Sequence, residues 1–348
     1  MTTVEIDGGK QSGSGTIVRY AVALAALMGK RLHLFNARAA REKPGLRPQH
    51  LASVLACAEM CGGKTEGASI GSSEFTFVPG ATIKGGDYKW EIGTAGSATM
   101  LALSILPLAC FADRPVTAHI TGGIFQDFAP SPHHMEYVLA KLLRRMGANI
   151  ALQVLRAGYV PKGAGVIKLS VQPVARFIEP IQIAEQGSVS NVSGIAFSSH
   201  LRERQVSERM AQSCEKRLAG AGLSANIERV YDTCALNPGA ALAVWAEGST
   251  GCIIGADRPG AFRRSSEAIG NFVAETLLSN LAAGATVDAH AADQLVLFAA
   301  LASGISRYRV PSDTEHLKSN LWLAEQFGAK ARYDRKMVLI EGVGYCRR

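Results

Sequence analysis

The sequence predicts an α/β fold of mixed (α+β) character, built from three similar units with a small α/β segment inserted before the last. Three observations carry this. One order of signals, helix, short strand, polar loop, second helix and glycine-led strand, recurs three times along the chain. The first two recurrences are regularly spaced and the third is delayed. The delay contains a helix and a strand of its own.

The first unit runs from GSGTIVRYAVALAALMG through the strand RLHLF and the loop NARAAREKPGLRP to the helix QHLASVLACAEM, ending in CGGKTEG. In that second helix Leu51, Val54, Leu55 and Ala58 recur at i, i+3, i+4 and i+7, which makes one apolar face. The second unit repeats the order with GTAGSATMLALSILPLA, PVTAHIT, GGIFQDFAPSP, HHMEYVLAKLLRRM and GANIALQ, with Val138, Leu139, Leu142 and Met146 as the equivalent face. The third reads AADQLVLFAALASG, ISRYRV, PSDTE, HLKSNLWLAEQF and GAKARYD. With Ser14, Thr94 and Ala291 as equivalent helix starts, the first two units lie about 80 residues apart and the next about 197, an excess of about 117. That excess contains the helix VSERMAQSCEKRLAGAG and the strand SANIERVYD. The expected organisation is therefore residues 1–177 for the first two units, 178–275 for the insert and 276–348 for the third.

A chain of 348 residues with 47% apolar content has ample material for a folded core. Its net charge of +8 comes with only 19% charged residues, so the excess reflects few acids rather than basic runs. Such a balance suits an anionic partner, nucleic acid or nucleotide phosphate. The seven cysteines are scattered and form no CxxC, which suggests neither a disulfide framework nor a zinc site. MTTVEIDGG lacks a charged segment followed by an apolar one, and the apolar run MLALSILPLACFA is broken by Pro107. That run is also short of the ~20 residues a bilayer requires. The expectation is a cytoplasmic protein with no membrane span; a homo-oligomer is compatible with the sequence.

No GxxxxGK[ST], GxGxxG or HExxH motif is present, so any phosphate chemistry must use other devices. Gly13 to Thr16 open one helix and Gly93 to Ser97 its counterpart, where exposed N–H groups and the positive helix end can hold phosphate oxygens; capped helices with close backbone packing are the simpler use of either turn alone. RAAREKPGLRPQH gathers Arg38, Arg41, Lys43, Arg47 and His50 on a proline-stiffened loop, and Arg19 lies on the adjacent first helix. Arginines on a stiff loop suit bidentate capture of phosphate. His316 stands beyond a strand end, at the start of a helix that Ser312, Asp313 or Thr314 can cap. There the positive helix end disfavours imidazolium and leaves a neutral ring able to attack phosphorus. Glu315 either orients that ring or complements the helix end, and Asn320 either orients the ring or faces water. His133 and His134 are adjacent and so diverge on a helix, which argues against a shared metal.

The chain resembles the RNA 3'-terminal phosphate cyclases over nearly its whole length. The residues that carry the resemblance are IDGG (Ile6 to Gly9) with Arg19, RAAREKPGLRPQH, GGDYKWEIGTAGSATM, GYVPKGAG, HAADQL and the histidine of TEHLKSN. The resemblance implies three βαβαββ-type repeats of the enolpyruvyl-transferase-like architecture plus a small inserted α/β domain. It also implies an ATP-dependent reaction assisted by a divalent cation (Mg or Mn). The histidine matching His316 takes AMP from ATP and passes it to an RNA 3'-phosphate end, and the neighbouring 2'-hydroxyl displaces AMP to leave a 2',3'-cyclic phosphate. Arg19, Arg38, Arg41, Gln49 and His50 match positions that handle phosphates or RNA, and Asp293 and Gln294 match the adenylate pocket. The family pattern has glutamate where this chain has Ser12, glutamine at Leu103, tyrosine at His290 and glutamine at Ser73. The metal ligand is therefore left unassigned. The alternatives are a non-catalytic paralogue that binds RNA or a ribonucleoprotein and, more distantly, an enolpyruvyl transferase acting on a small phosphorylated ring compound.

Overall fold

A computed structural model describes residues 1–189 and 191–347. Ser190, within the expected insert, and Arg348, the end of the expected third unit, lie outside the described residues. The first unit contains β1 (Thr3–Asp7), α1 (Gly15–Met28), β2 (Arg31–Phe35), α2 (Pro48–Cys61), β3 (Lys64–Glu66) and β4 (Phe75–Val78). The second contains β5 (Gly86–Glu91), α3 (Ala98–Cys110), β6 (Val116–Gly122), a helical stretch of α4 (Pro132–His134), a π-turn (Met135–Leu139) and α5 (Ala140–Arg145), then β7 (Asn149–Arg156) and β8 (Gly165–Gln172). After β9 (Gln182–Ile183) come β10 (Asn191–Ser199), α6 (Val206–Ala219), β11 (Ser224–Asp232), β12 (Gly239–Glu247), β13 (Ile253–Pro259) and α7 (Ser266–Ala282). The chain closes with α8 (Ala289–Leu301), β14 (Ile305–Arg309), α9 (Glu315–Gln326), β15 (Lys330–Asp334) and β16 (Met337–Glu341). The expected mixed α/β class is the one the chain adopts.

Three four-stranded sheets share one plan, with orders β1-β2-β4-β3, β5-β6-β8-β7 and β9-β14-β16-β15. In each the first pair is parallel and the other two are antiparallel. The parallel pair needs a crossover, which α1, α3 and α8 supply. These three helices are apolar nearly all round, and a helix with no polar face must be a core helix. Every residue from Gly15 to Leu27 is buried in α1, as is every residue from Ala291 to Leu301 in α8. The strands alternate instead: in β6, Val116, Ala118 and Ile120 point into the core and Thr117, His119 and Thr121 do not.

The fourth sheet, β11-β10-β12-β13, packs with α6 and α7 around a separate apolar cluster that runs from Val192 to Leu277. Its edges differ from the expected 178–275. Ile178, Ile181 and Ile183 belong to the main cluster, and β9 pairs with β14. At the other edge α7 continues to Ala282, with Leu281 packed on the second cluster. A two-residue strand such as β9 has no periodicity by which a sequence could show it.

One buried ion pair ties the insert to the units on either side of it. His134 Nε2 lies 2.9 Å from Asp288 Oδ1, and both side chains are almost inaccessible. Asp288 also caps α8 by accepting from His290 N and Ala291 N, and its Oδ2 accepts from Gly255 N of β13 at 2.8 Å. Burial alone lowers His134, but the Asp288 carboxylate outweighs it and raises the imidazole to about 9. Burial likewise pushes Asp288 up, and the His134 charge and hydrogen bond, with the α8 amide of Ala291, bring it down to about 2.

The sign of the pH dependence follows. The raised His134 adds stability that is complete below its ordinary value of 6.5 and lost as pH rises through about 9. The depressed Asp288 adds stability that is complete above its ordinary value of 3.8 and lost as pH falls toward 2. Asp288→Ala is expected to lower unfolding free energy in urea by about 3–5 kcal/mol at pH 6, because it breaks the buried pair with His134 and removes the acceptor for the α8 amides and Gly255 N. In wild type the stability should decline between pH 7 and 9.5, and that decline should be absent in His134→Leu.

Candidate active site

The starts of α1, α8 and α9 meet, and the sequence explains each start. Ser14 caps α1, accepting from Thr16 N; Asp288 caps α8; Thr314 caps α9, accepting from Leu317 N at 3.1 Å. His316 is thereby fixed in the first turn of α9, with Ser319 and Asn320 at i+3 and i+4 on the same face.

Hydrogen bonds lace the three helices together. Thr16 Oγ1 donates to Asn320 Oδ1 at 3.0 Å, and Asn320 Nδ2 donates to the Asp293 carbonyl at 2.8 Å, so one amide joins α1, α9 and α8. Ser12 N donates to Ser319 Oγ at 3.0 Å, and Ser12 Oγ donates to Ser14 Oγ at 2.9 Å. Tyr20 hydroxyl donates to Gln294 Oε1, and Gln294 Nε2 donates to Asp293 Oδ1. Asn320 does neither of the two things expected of it: it is buried away from water, and its amide bonds Thr16 and Asp293 rather than the ring of His316. Glu315 turns outward and takes a hydrogen bond from Lys318 at 3.1 Å, so it complements the helix end and does not grip the ring.

Arg19 is the unusual member. It is 5% exposed, on a helix otherwise made of apolar and hydroxyl residues. Its buried Nε has no hydrogen-bond partner, and among the described residues no carboxylate comes within ion-pair distance of its guanidinium. Burial lowers its proton affinity, and the Asp293 carboxylate acts in the opposite direction. Buried arginines are normally paired, so this guanidinium is poised for an anion from outside the chain.

Two histidines share its surroundings. His50 is buried and accepts a hydrogen bond from Arg47 N at Nδ1 (3.3 Å), which leaves the ring proton on Nε2. That Nε2 faces the start of α1 so closely that a Cβ at position 15 would lie 2.0 Å from it, and Gly15 is what admits the ring. Burial, then Arg19 and the loop arginines, bring His50 down to about 2. His316 keeps an open face, and its Nδ1 is 3.5 Å from Ser14 Oγ, a long and weak contact. Desolvation of the ring, then Arg19, Arg41 and His290, lower it to about 4, and the Glu315 charge recovers only part. Both rings are neutral at pH 7. Asp293 goes the other way, pushed up to about 7 by burial although Gln294 and Arg19 pull it down.

Of the residues singled out in the sequence, Arg19, His50, Asp293, Gln294 and His316 thus come together, with Arg41 close enough for its charge to act on both histidines. Arg38 is engaged otherwise: its Nη1 donates to the carbonyls of Lys43 and Gly45, both at 2.7 Å, and it braces its own loop. Gln49 Oε1 accepts from Ser97 N at 2.8 Å, joining the basic loop to the second glycine turn. The sequence reading missed Tyr20 and Ser319; Ser319 lies at i+3 from His316 on one helix face, which was an available signal, whereas Tyr20, adjacent to Arg19, carried none. Among the described residues no three His, Cys, Asp or Glu side chains gather to hold a metal ion. The group that meets His316 Nδ1 is a serine hydroxyl, Ser14 Oγ, itself bonded to Ser12 Oγ, whereas Mg and Mn favour carboxylate oxygen. This donor set does not fit a cation held by the protein.

A family model described as RNA 3'-terminal phosphate cyclase matches residues 10–332. The chain is 36% identical to the RNA 3'-terminal phosphate cyclase of Pyrobaculum aerophilum over 99% of each sequence. It is 39% identical to that of Caldivirga maquilingensis, covering 93% of this chain and 92% of the relative. Against the Pyrococcus furiosus protein of the same name the identity is 37%, over 93% of each.

Arg19→Met removes an unsatisfied buried charge and keeps most of its volume, so it is expected to leave thermal stability unchanged or raise it. The same change should weaken binding of a polyphosphate anion by about ten- to a hundredfold, the worth of a lost charge-assisted hydrogen bond. Calorimetry and pyrophosphate titration of the two proteins check both halves.

Proposed function

The chain belongs to the RNA 3'-terminal phosphate cyclase family, and on that premise we propose that it is an ATP-dependent enzyme that converts an RNA 3'-phosphate end into a 2',3'-cyclic phosphate through a covalent adenylate on His316. The observation that carries this reading is the neutral imidazole of His316 at a helix start, beside a buried guanidinium that lacks an anion.

His316 Nε2 has no hydrogen-bond partner among the described residues, while Nδ1 faces Ser14. Nε2 attacks the α-phosphorus of ATP, the bond to the β-phosphate breaks, and pyrophosphate leaves with the electron pair. An oxygen of the RNA 3'-phosphate then displaces the imidazole and takes the AMP. Finally the adjacent 2'-hydroxyl oxygen attacks the 3'-phosphorus, its proton is released, and AMP departs. One ATP becomes AMP and pyrophosphate for each cyclic end, and the difficult dehydration is divided into transfers with good leaving groups.

The chain's own residues do the positioning. Arg19 and the Nε2–H of His50 meet phosphate oxygens inside the cluster, and Arg41 meets them at its rim. Arg38 and Gln49 keep the basic loop in shape against the second glycine turn. Asp293 and Gln294 border the nucleotide. The donors gathered here do not fit a divalent cation held by the protein, and the chain's own arginines and histidines carry the positioning described.

Incubation with ATP followed by intact-protein mass measurement tests the reading. Wild type should gain an acid-labile adenylyl group that His316→Ala lacks. An adduct that persists in His316→Ala would contradict it, and folded wild type without an adduct would favour the RNA-binding alternative. Because His316 loses its proton near 4, adenylylation in single turnover should be flat from pH 8 to about 5.5 and fall only as pH approaches 4. Arg41→Ala should reduce the rate about tenfold or more while leaving the unfolding midpoint near that of wild type, since an exposed loop residue contributes little to folding.

A further inference from the structure

A cleft of about 950 Å³ lies between the loops that follow β6 and β7 and the insert, and none of the side chains assigned to the nucleotide lines it. Its wall is basic. Among the described residues the one acid that lines it is Asp127, and Arg264 holds both carboxylate oxygens at 3.0 and 3.1 Å. Arg209 is likewise engaged, by Glu267. Arg204 and Arg263 remain, with no carboxylate partner among the described residues. Beside them Phe262 is 91% exposed, with the Arg263 guanidinium over its ring at 5.2 Å.

Exposed aromatic rings next to uncompensated arginines suit a single-stranded nucleic acid. Phosphates follow the positive wall, and any base can stack on the ring. The charge is what favours nucleic acid over a protein partner: the rest of the wall is neutral, with Val160, Pro161 and Leu201 lining it along with Phe262, and the side chains left without a counter-charge are arginines.

The cleft is also joined to the reactive cluster. In the amide orientation that satisfies both its ends, Gln126, on the cleft wall, accepts from Ser97 N at 3.0 Å and donates to Ala95 O at 3.1 Å. The same Ser97 N–H is shared with Gln49, the neighbour of His50.

We propose that this cleft holds the single-stranded RNA on the 5' side of the reacting 3'-phosphate, with Arg204 and Arg263 on backbone phosphates and Phe262 under a base. The assignment rests on the reading that RNA ends are the substrate. It is specific to these residues: the cluster around His316 takes the terminal phosphate, and the insert supplies the grip on the strand behind it.

The test is fluorescence anisotropy with a labelled single-stranded RNA bearing a 3'-phosphate, over a range of salt, with self-adenylylation by ATP measured in parallel. Phe262→Ala should weaken RNA binding about 5- to 100-fold, the usual effect of losing one stacked base. Arg204→Ala with Arg263→Ala should weaken binding and reduce the slope of log affinity against log salt by about 1.4. Arg204→Glu, a surface change, should weaken it further. All should self-adenylylate as wild type does.

RNA affinity and salt slope indistinguishable from wild type in the combined variant would overturn the proposal, as would a wild type that binds no RNA. Equal loss of self-adenylylation would also overturn it, by showing that these residues act on the nucleotide. Cleft-dependent RNA binding by a wild type that never self-adenylylates would keep the cleft and remove the catalytic reading.

Discussion

A full positive charge sits inside the protein without a carboxylate to pair with it, and the site is organised around that fact. Arg19 occupies a helix that has no polar face, so the fold cannot turn it to water. Taking a charge out of water without a partner costs several kcal/mol in real proteins. A chain that keeps such a group gains nothing in stability from it, which points to a ligand as the missing counter-charge. The same buried guanidinium explains the protonation states around it. Together with desolvation it keeps His50 and His316 neutral, while it only partly offsets the burial that drives Asp293 up to about 7.

The three-unit plan makes this arrangement available. Sheets of one strand order recur in the core, and the starts of α1, α8 and α9 meet beside them, bringing N–H groups and positive dipole ends together. Caps at Ser14, Asp288 and Thr314 fix where each helix begins. Asn320 then locks α9 to α1 and α8, so that His316 is placed by a rigid frame. The insert is anchored to the same frame through Asp288, whose carboxylate serves His134, the cap of α8 and β13 together. One residue thereby couples the position of the insert to the helix that carries Asp293.

Much of this was legible in the sequence because it is local. The apolar helices, the basic loop and a capped helix start before His316 are each visible within some fifteen residues. What was not legible depends on partners far along the chain. His134 and Asp288 are 154 residues apart, and nothing near either one announces the pair. Arg38 looks like its neighbour Arg41 in sequence, yet a left-handed backbone at φ 57° turns it onto its own loop's carbonyls. The insert was underread for a different reason: β12 is a nearly continuous apolar run, without the alternation that marks a strand exposed on one face, and β13 is apolar only from Ile253 to Ala256.

The central claim is that the environment of His316 keeps its ring neutral and ready as a nucleophile in the free protein. Its most direct test is an NMR titration of the histidine rings in the free protein, with the His316 signal assigned by comparison with His316→Asn. The account predicts a neutral ring from pH 8 to about 5 and a titration near 4. A midpoint at or above the ordinary imidazole value of 6.5 would contradict it.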